Sequence, residues 1–189
     1  AAAERKARKD TARVYDTFPI RYWNAWLDDT RSHIFVQDAT AGAKPRDLLA
    51  GTKLEASPGF SGLFSGLSAD QQLQPAWSPD GKSVIFVAQS TRNETMRAEV
   101  ESHLYRVSAE GGEPSKLTPA GQSFSNPRFS EDGRSLYALQ SKNPVPGTRI
   151  YNLTRLARID PATGAVNILT AKFDRSVGSF EPAAGNDTI

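Results

Sequence analysis

The sequence has no cysteine, only two histidines and no long hydrophobic run. Without cysteine there is neither a disulfide framework nor thiol chemistry. His33 and His103 lie far apart in the sequence and do not form a ligand set, so we expect no metal and no other cofactor. No run approaches the ~20 apolar residues of a membrane span, and no signal peptide pattern opens the chain. The formal net charge of +2 is too small to indicate a nucleic-acid partner.

What the sequence does contain is an internal repeat with a spacing of 52 residues. The stretch PAWSPDGKSVIFVAQ at residues 75–89 returns as PRFSEDGRSLYALQ at residues 127–140. Trp77 and Phe129 occupy equivalent positions in the two copies, and we predict that both are core residues of inner strands. The same spacing of 52 residues relates LYRV (104–107) to LARI (156–159), and Leu117-Thr118 to Leu169-Thr170.

The apolar runs within one copy have the composition of β-strands. Val, Ile and Phe crowd together in KSVIFVAQ, and such side chains suit a pleated sheet better than a helix. The runs are separated by turn residues such as Pro79-Asp80-Gly81, which predict tight hairpins. Four antiparallel strands in a repeat of this length are typical of a β-propeller blade. We therefore predict an all-β fold, a partial β-propeller of four-stranded antiparallel blades.

The rest of the chain is divided around these two copies. Tyr22, Trp23 and Trp26 are expected to anchor a core, and Asp47–Leu49 to form an outer strand. Residues 177–189 begin a third copy, and a blade without its outer strands leaves edges unpaired, so we interpret the chain as a fragment. The predicted segments are a helix or linker (1–12), part of one blade (13–56), an inter-blade insertion (57–70), a first full blade (71–121), a second full blade (122–171) and the start of a further blade (172–189).

The pattern PAWSPDGKSVIF followed by HLYRVSAEGGEPSKLT resembles the TolB-like propeller repeat. That repeat also occurs in the N-terminal domain of prolyl oligopeptidase-family serine peptidases. Residues 13–36 and 169–182 look like segments of bacterial dipeptidyl peptidase and acylaminoacyl peptidase-like members of that family. The chain departs from the repeat at Glu131, where proline is usual, and at Glu181 and Ala183-Ala184, where the Ser and Asp-Gly are missing. Those departures put in doubt the last turn rather than the family.

The resemblance implies a serine exopeptidase that hydrolyses short peptides, with a C-terminal α/β-hydrolase domain as partner of this propeller. It also implies a periplasmic or secreted protein, although a cytoplasmic location stays open. The hydrolase domain would carry a G-x-S-x-G nucleophile elbow, and this sequence contains none; Gly59-Phe60-Ser61-Gly62 lacks its spacing. Neither histidine has a nucleophile and a carboxylate placed beside it by the strand pattern, and His103 is expected to be structural. The chain alone is predicted to lack catalysis.

In a blade, the loop between the second and third strands and the crossover to the next blade share one face. Here those loops are long, at 90–102, 141–154, 120–126 and 171–178, and long loops on a rigid scaffold often carry function. We predict that this face meets the hydrolase domain and the peptide substrate. Its candidate residues are Glu94, Glu99, Glu101, Arg149, Tyr151, Asp174 and Arg175.

Each candidate also has a structural interpretation. Glu94, Glu99 and Glu101 would bind the free amino terminus of a peptide, or they belong to a solvated loop. Asp174 and Arg175 would contact the hydrolase domain, or they form an ion pair that fixes the crossover.

Two alternatives to a peptidase propeller remain from the sequence. The chain would be a TolB-like binding module for a protein partner, with no enzymatic activity. It would otherwise be a structural propeller piece that associates with a second copy to complete a ring of about seven blades.

Overall fold

The structure is a computed structural model that describes residues 19–27, 30–64, 70–94, 100–142, 152–184 and 189. The predicted helix or linker at 1–12 lies outside these residues. Among the residues described, no helix is long and apolar enough to cross a membrane.

The order of strands in the two repeat copies is that of propeller blades. The first full blade is a four-stranded antiparallel sheet of β7 (Ala76–Trp77), β8 (Ser83–Ala88), β9 (His103–Ser108) and β10 (Ser115–Lys116). The second full blade contains β11 (Ser123–Phe129), β12 (Leu136–Ser141), β13 (Arg155–Ile159) and β14 (Val166–Ile168) in the same consecutive order. Strands that follow one another along the chain are neighbours in each sheet. The predicted all-β partial propeller is therefore confirmed.

Shorter pairs of strands precede the two full blades. β1 (Arg21–Tyr22) pairs with β2 (Ala25–Trp26), and β3 (Phe35–Val36) pairs with β4 (Arg46–Asp47). A short helix, α1 (Lys53–Ala56), begins after Thr52, whose hydroxyl accepts a hydrogen bond from the Glu55 amide. β5 (Leu63–Phe64) then pairs with β6 (Gln71–Gln72), and a 3-10 turn (Arg92–Glu94) follows the first full blade's second strand.

Three predicted strands end in slightly different places. The outer strands are Ser115–Lys116 and Val166–Ile168 rather than the Leu-Thr pairs that follow them. Those leucines still pair, because Leu117 N donates to Leu104 O and Leu169 N donates to Leu156 O. The strand predicted at Asp47–Leu49 is Arg46–Asp47, while the two leucines after it are buried.

The core consists of two clusters that share β8. Alternate side chains of a strand point to opposite faces of its sheet. Val84, Phe86 and Ala88 pack in a first cluster with the partial blade, and Ile85 and Val87 pack in a second cluster with the second full blade. Both faces of β8 are therefore dry, which explains the uninterrupted apolar run VIFVA.

Three tryptophans predicted as core residues are largely exposed, so that prediction was wrong. Trp77 is 50% exposed, Trp23 63% and Trp26 51%. Trp77 pairs with Val84 across the first full blade, so its side chain lies on the first-cluster face. On that face the described part of the partial blade offers only short strands to cover it. Tyr22, in contrast, is half-buried and stacks on Phe64 with 3.8 Å between ring centroids.

The inner strands of the two blades contact each other at equivalent irregular positions. Gln74 and Asn126 are 52 residues apart, both precede a proline, and both have positive φ, at 46° and 53°. The pairing of β11 with β12 shifts register at this point, between Ser125 and Arg128. The amide of Asn126 donates a 2.7 Å hydrogen bond to Gln74 Oε1. The second full blade therefore has a bulge at this position, which is hydrogen-bonded to the equivalent residue of the first full blade.

Candidate functional site

The first hairpin turns of the two full blades have the same hydrogen-bond network. In the first blade the Ser78 hydroxyl donates to Asp80 Oδ1 at 2.6 Å, and the Lys82 amide donates to the same oxygen at 3.0 Å. In the second blade Ser130 and the Arg134 amide make the equivalent bonds to Asp132, at 2.7 and 3.0 Å. The sequence repeat is therefore a repeat of side-chain chemistry.

These hydrogen bonds keep the turn aspartates ionised. The Ser78 hydroxyl, followed by the Lys82 amide, lowers the pKa of Asp80. The Arg134 amide, followed by the Ser130 hydroxyl, lowers the pKa of Asp132. Two ionised carboxylates therefore lie at this face, one on each full blade.

A cavity of about 320 Å³ lies between the two turns. Its walls are Ser78, Pro79, Asp80, Ser83, Arg106, Phe129, Asp132, Gly133, Pro161 and Ala162. The turns approach closely, since a Cβ on Gly133 would lie 3.4 Å from Pro79. Arg106 Nε is buried there and has no hydrogen-bond partner among the described residues.

The cavity lies on the face opposite to the loops that the sequence favoured. Sequence reasoning missed both the cavity and Arg106. The signal was present in the repeat, because Arg106 and Arg158 are equivalent residues, and the carboxylate of Glu110 is replaced 52 residues later by Ala162.

On the predicted loop face, Glu101 is committed to contacts within the fold. Its Oε1 accepts a 2.9 Å hydrogen bond from the Gly121 amide, and its Oε2 lies 3.2 Å from His103 Nε2. The opposite ring nitrogen, Nδ1, lies 3.3 Å from Thr118 Oγ1. Burial, and to a smaller extent Lys116, lowers the pKa of His103 against the opposing effect of Glu101.

A carboxylate and a hydroxyl therefore flank His103, although the strand pattern did not place them there. The order of groups resembles that of a catalytic triad, but the geometry is structural. His103 and Thr118 are 5% and 2% exposed, and the Thr118 hydroxyl also accepts a hydrogen bond from the Leu104 amide at 3.1 Å. A peptide carbonyl has no access to that hydroxyl.

His33 also has a carboxylate partner, which the strand pattern did not predict. Its Nδ1 lies 2.7 Å from Asp47 Oδ2, and Asp47 Oδ1 accepts from the Leu49 amide at 2.9 Å. The nearby Ser32 hydroxyl donates to Gln71 O at 2.7 Å. The His33–Asp47 pair therefore joins the segment before β3 to β4, the two short strands of the partial blade.

The remaining loop candidates are not assembled into a site. Glu99, Arg149 and Tyr151 lie outside the described residues. Asp174 and Arg175 are highly exposed and form a loose ion pair at 4.0 Å. Glu94 is exposed at the end of the 3-10 turn. Within the described segments, no group of three or more potential metal ligands comes together.

The crossover after the second full blade is held by a residue that the sequence did not indicate. Arg155 Nη1 donates to the carbonyls of Thr170, Ala171 and Phe173 at 2.7 to 2.9 Å. Arg155 is equivalent to His103, so the same position of each blade fixes a crossover or its approach. His103 contacts Thr118 and Arg155 contacts the equivalent Thr170, so the position keeps its threonine partner although an imidazole is replaced by a guanidinium group.

No protein-family model matches this chain. An uncharacterised peptidase of Bacillus subtilis, YuxL, is 39% identical over 62 residues, which are 33% of this chain and 8% of that protein. Dipeptidyl-peptidase 5 of Arthroderma otae is 26% identical over 199 aligned positions, which cover 95% of this chain. Over nearly its whole length, the chain resembles a peptidase. It spans only 26% of the length of that relative.

Two solved structures of TolB proteins are also similar. TolB from Acinetobacter baumannii matches with a TM-score of 0.47 and 20% identity, over 76% of this chain and 28% of the TolB chain. That of a putative TolB from Agrobacterium tumefaciens has a TM-score of 0.40 and 22% identity, covering 52% and 33%. The propeller architecture rests on the strand order of the blades themselves. The resemblance to peptidases, predicted from the sequence, is confirmed by the relatives.

Proposed function

We propose that this chain is the non-catalytic propeller part of a serine exopeptidase that hydrolyses short peptides. The observation that carries the proposal is the alignment of 95% of the chain with a dipeptidyl-peptidase. The relative is much longer than this chain, so the catalytic residues would lie elsewhere in the parent protein. Dipeptidyl and acylaminoacyl peptidase activities are both compatible with the proposal.

The role of the propeller in this proposal is to limit and shape access to the active site. The dry interface between the full blades makes them a rigid wall, and the long loops after β8 and β12 would meet the hydrolase domain and the peptide. Folded proteins would be too large to enter. A periplasmic or secreted location belongs to the same proposal.

The proposal is tested on the full-length protein that contains these residues. We expect it to release p-nitroaniline from dipeptidyl or N-acetylaminoacyl p-nitroanilides and to lose this activity after treatment with a serine-directed fluorophosphonate. A matched folded protein substrate should not be cleaved. The isolated 189-residue chain is expected to give no hydrolysis.

An absence of hydrolysis and of fluorophosphonate labelling in the full-length protein would contradict the peptidase proposal. It would favour the alternative, a TolB-like propeller that binds a protein partner. Hydrolysis of the folded substrate as fast as of the short peptides would contradict the gating role alone.

A further inference from the structure

The cavity between the first hairpin turns of the full blades is lined by an arginine that has a buried nitrogen without a hydrogen-bond partner among the described residues. Arg106 lines this cavity, and its Nε is buried without a hydrogen-bond partner among the described residues; the other polar walls are Ser78, Ser83, Asp80 and Asp132. Leaving a buried donor of a charged group unsatisfied is costly. An acceptor supplied from outside the described chain would remove that cost.

In the second full blade, the arginine equivalent to Arg106 has a hydrogen-bond acceptor within the protein. Arg158 lies 52 residues after Arg106, and its Nε donates a 2.8 Å hydrogen bond to Ser135 Oγ. The serine equivalent to Ser135 is Ser83, whose hydroxyl instead donates to Ser78 Oγ at 3.1 Å. The acceptor used in one blade is therefore diverted in the other, and Arg106 is left facing the cavity.

The preceding inter-blade junction shows a second way to satisfy an arginine at this face. Arg46 of the partial blade donates to Ala109 O at 2.7 Å and forms an ion pair with Glu110 at 3.3 Å. The residue equivalent to Glu110 in the second full blade is Ala162, which lines the cavity and has no carboxylate. The junction between the full blades therefore lacks an anion that its neighbour has.

The remaining walls restrict the ligand that would supply this anion. Asp80 uses Oδ1 for its turn, and Oδ2 accepts no hydrogen bond from the described residues. A simple anion would be repelled by Asp80 and Asp132, and a simple cation by Arg106. Phe129, with the prolines of the two blades, supplies an apolar surface. A ligand with a carboxylate, an ammonium group and an apolar side chain would match all three features.

We propose that this cavity is a binding site for a zwitterionic amino compound, a free α-amino acid or a dipeptide. Arg106 binds its carboxylate, Asp80 binds its ammonium group, and the apolar side chain packs on Phe129. The volume of about 320 Å³ is at the lower end of the range for small-molecule sites, which suits a ligand of this size. The site lies opposite the loop face and does not depend on the peptidase proposal.

The test is a titration of the 189-residue chain followed by NMR of backbone amides and by calorimetry. The probes are phenylalanine and alanyl-phenylalanine, each also as its C-terminal amide and its N-acetyl derivative. We expect saturable binding, with shifts at Gly81 and Gly133, for at least one free zwitterion. Each blocked form should bind about tenfold more weakly or worse, because a charge-assisted hydrogen bond is lost. The relative affinities of the two free compounds distinguish an amino acid site from a dipeptide site.

The variants use the repeat as an internal control. Arg106→Gln should weaken binding about tenfold or more, whereas the equivalent Arg158→Gln should leave it unchanged. Ala162→Glu restores the carboxylate of the neighbouring junction and should also block the site. Circular dichroism and thermal unfolding establish that each variant is folded.

Three results would overturn the proposal. The first is an absence of saturable binding by both free compounds to the unsubstituted chain. The second is binding of an amide or acetylated form as tight as that of its free parent, which requires no variant to fold. The third is equal affinity of the folded Arg106→Gln and Arg158→Gln variants.

Discussion

Single side chains join the two full blades at their inner strands. The hydrogen bond from the Asn126 backbone amide to Gln74 Oε1 links two equivalent residues that both have positive φ. Asparagine tolerates the left-handed region better than most residues, but its side chain is one methylene shorter than that of glutamine. Gln74 is therefore both a backbone element of its own blade and a clamp on the next.

We expect Gln74→Asn to lower the free energy of unfolding by about 1 kcal/mol, the net value of a hydrogen bond whose half-buried donor loses its partner. The shorter amide keeps the backbone conformation but cannot reach Asn126. Urea denaturation measures the change. Gln72→Asn, at an exposed position of the neighbouring strand, is the control and should have little effect; equal effects of the two substitutions would contradict the clamp.

His103 gives a second prediction at the level of the residue. Burial lowers its pKa in the folded chain, while in the unfolded chain the imidazole titrates near about 6.5. As the pH falls through that value, the unfolded state takes up a proton that the folded state does not. Stability should therefore fall on acidification, by at most about 1.4 kcal/mol per pH unit for this one group.

The comparison is between the unsubstituted chain and His103→Gln, which retains hydrogen-bonding groups but cannot titrate. Chemical denaturation at pH 7.5 and pH 5.5 gives the two free energies of unfolding. We expect the decrease between these pH values to be smaller in the variant. An identical decrease in both proteins would show that His103 makes no contribution.

At the level of the strand, burial differs between large aromatic side chains in the inner strands of the two full blades. Phe124, in the inner strand of the second full blade, is 1% exposed and belongs to the second cluster. Trp77, in the inner strand of the first, is half exposed. A large side chain stabilises a fold only to the extent that other atoms surround it.

We accordingly expect Phe124→Ala to destabilise the chain by about 3 to 5 kcal/mol and Trp77→Ala by less than about 1 kcal/mol. Guanidinium denaturation followed by circular dichroism compares the two without relying on tryptophan fluorescence. A larger loss for Trp77→Ala would restore the prediction made from the sequence, that this tryptophan is a core anchor.

The strands themselves could be predicted because their signals are local. The run VIFVA, the turn Pro79-Asp80-Gly81 and the spacing of 52 residues were enough to place β8, β9, β12 and β13. The exposure of Trp77 could not be predicted, because it depends on what a neighbouring blade places over it. The unsatisfied nitrogen of Arg106 could not be predicted either. Ser135 accepts a hydrogen bond from Arg158 whereas the equivalent Ser83 bonds to Ser78, and the sequence does not indicate this difference. Periodicity specifies a face, but not what covers it.

At the level of the whole molecule, apolar side chains remain exposed beyond the two full blades. Phe35 is 61% exposed on β3, and Leu169 and Phe173 are 42% and 49% exposed after β14. The first full blade, in contrast, contributes to a hydrophobic cluster on each face of its sheet. Exposed apolar surface favours association.

We therefore expect the 189-residue chain to self-associate in a concentration-dependent manner, as a partial ring would when it meets a second copy. Sedimentation velocity between micromolar and hundred-micromolar protein detects this. Phe35→Ser should shift the distribution towards monomer, whereas Gln72→Ser, at an exposed polar position, should not. A single monomeric boundary at all concentrations would contradict the expectation.

The sharing of β8 between two hydrophobic clusters bears on how the chain can be divided. The first full blade supplies one face to each of the two clusters, and the second full blade contributes only to the second cluster, so the core between the full blades belongs to both of them. Cutting the chain between blades would split a core rather than separate two finished units. We expect the two full blades to unfold in a single cooperative transition. The boundary at residue 121 separates two copies of the sequence repeat, but not two parts that are stable independently.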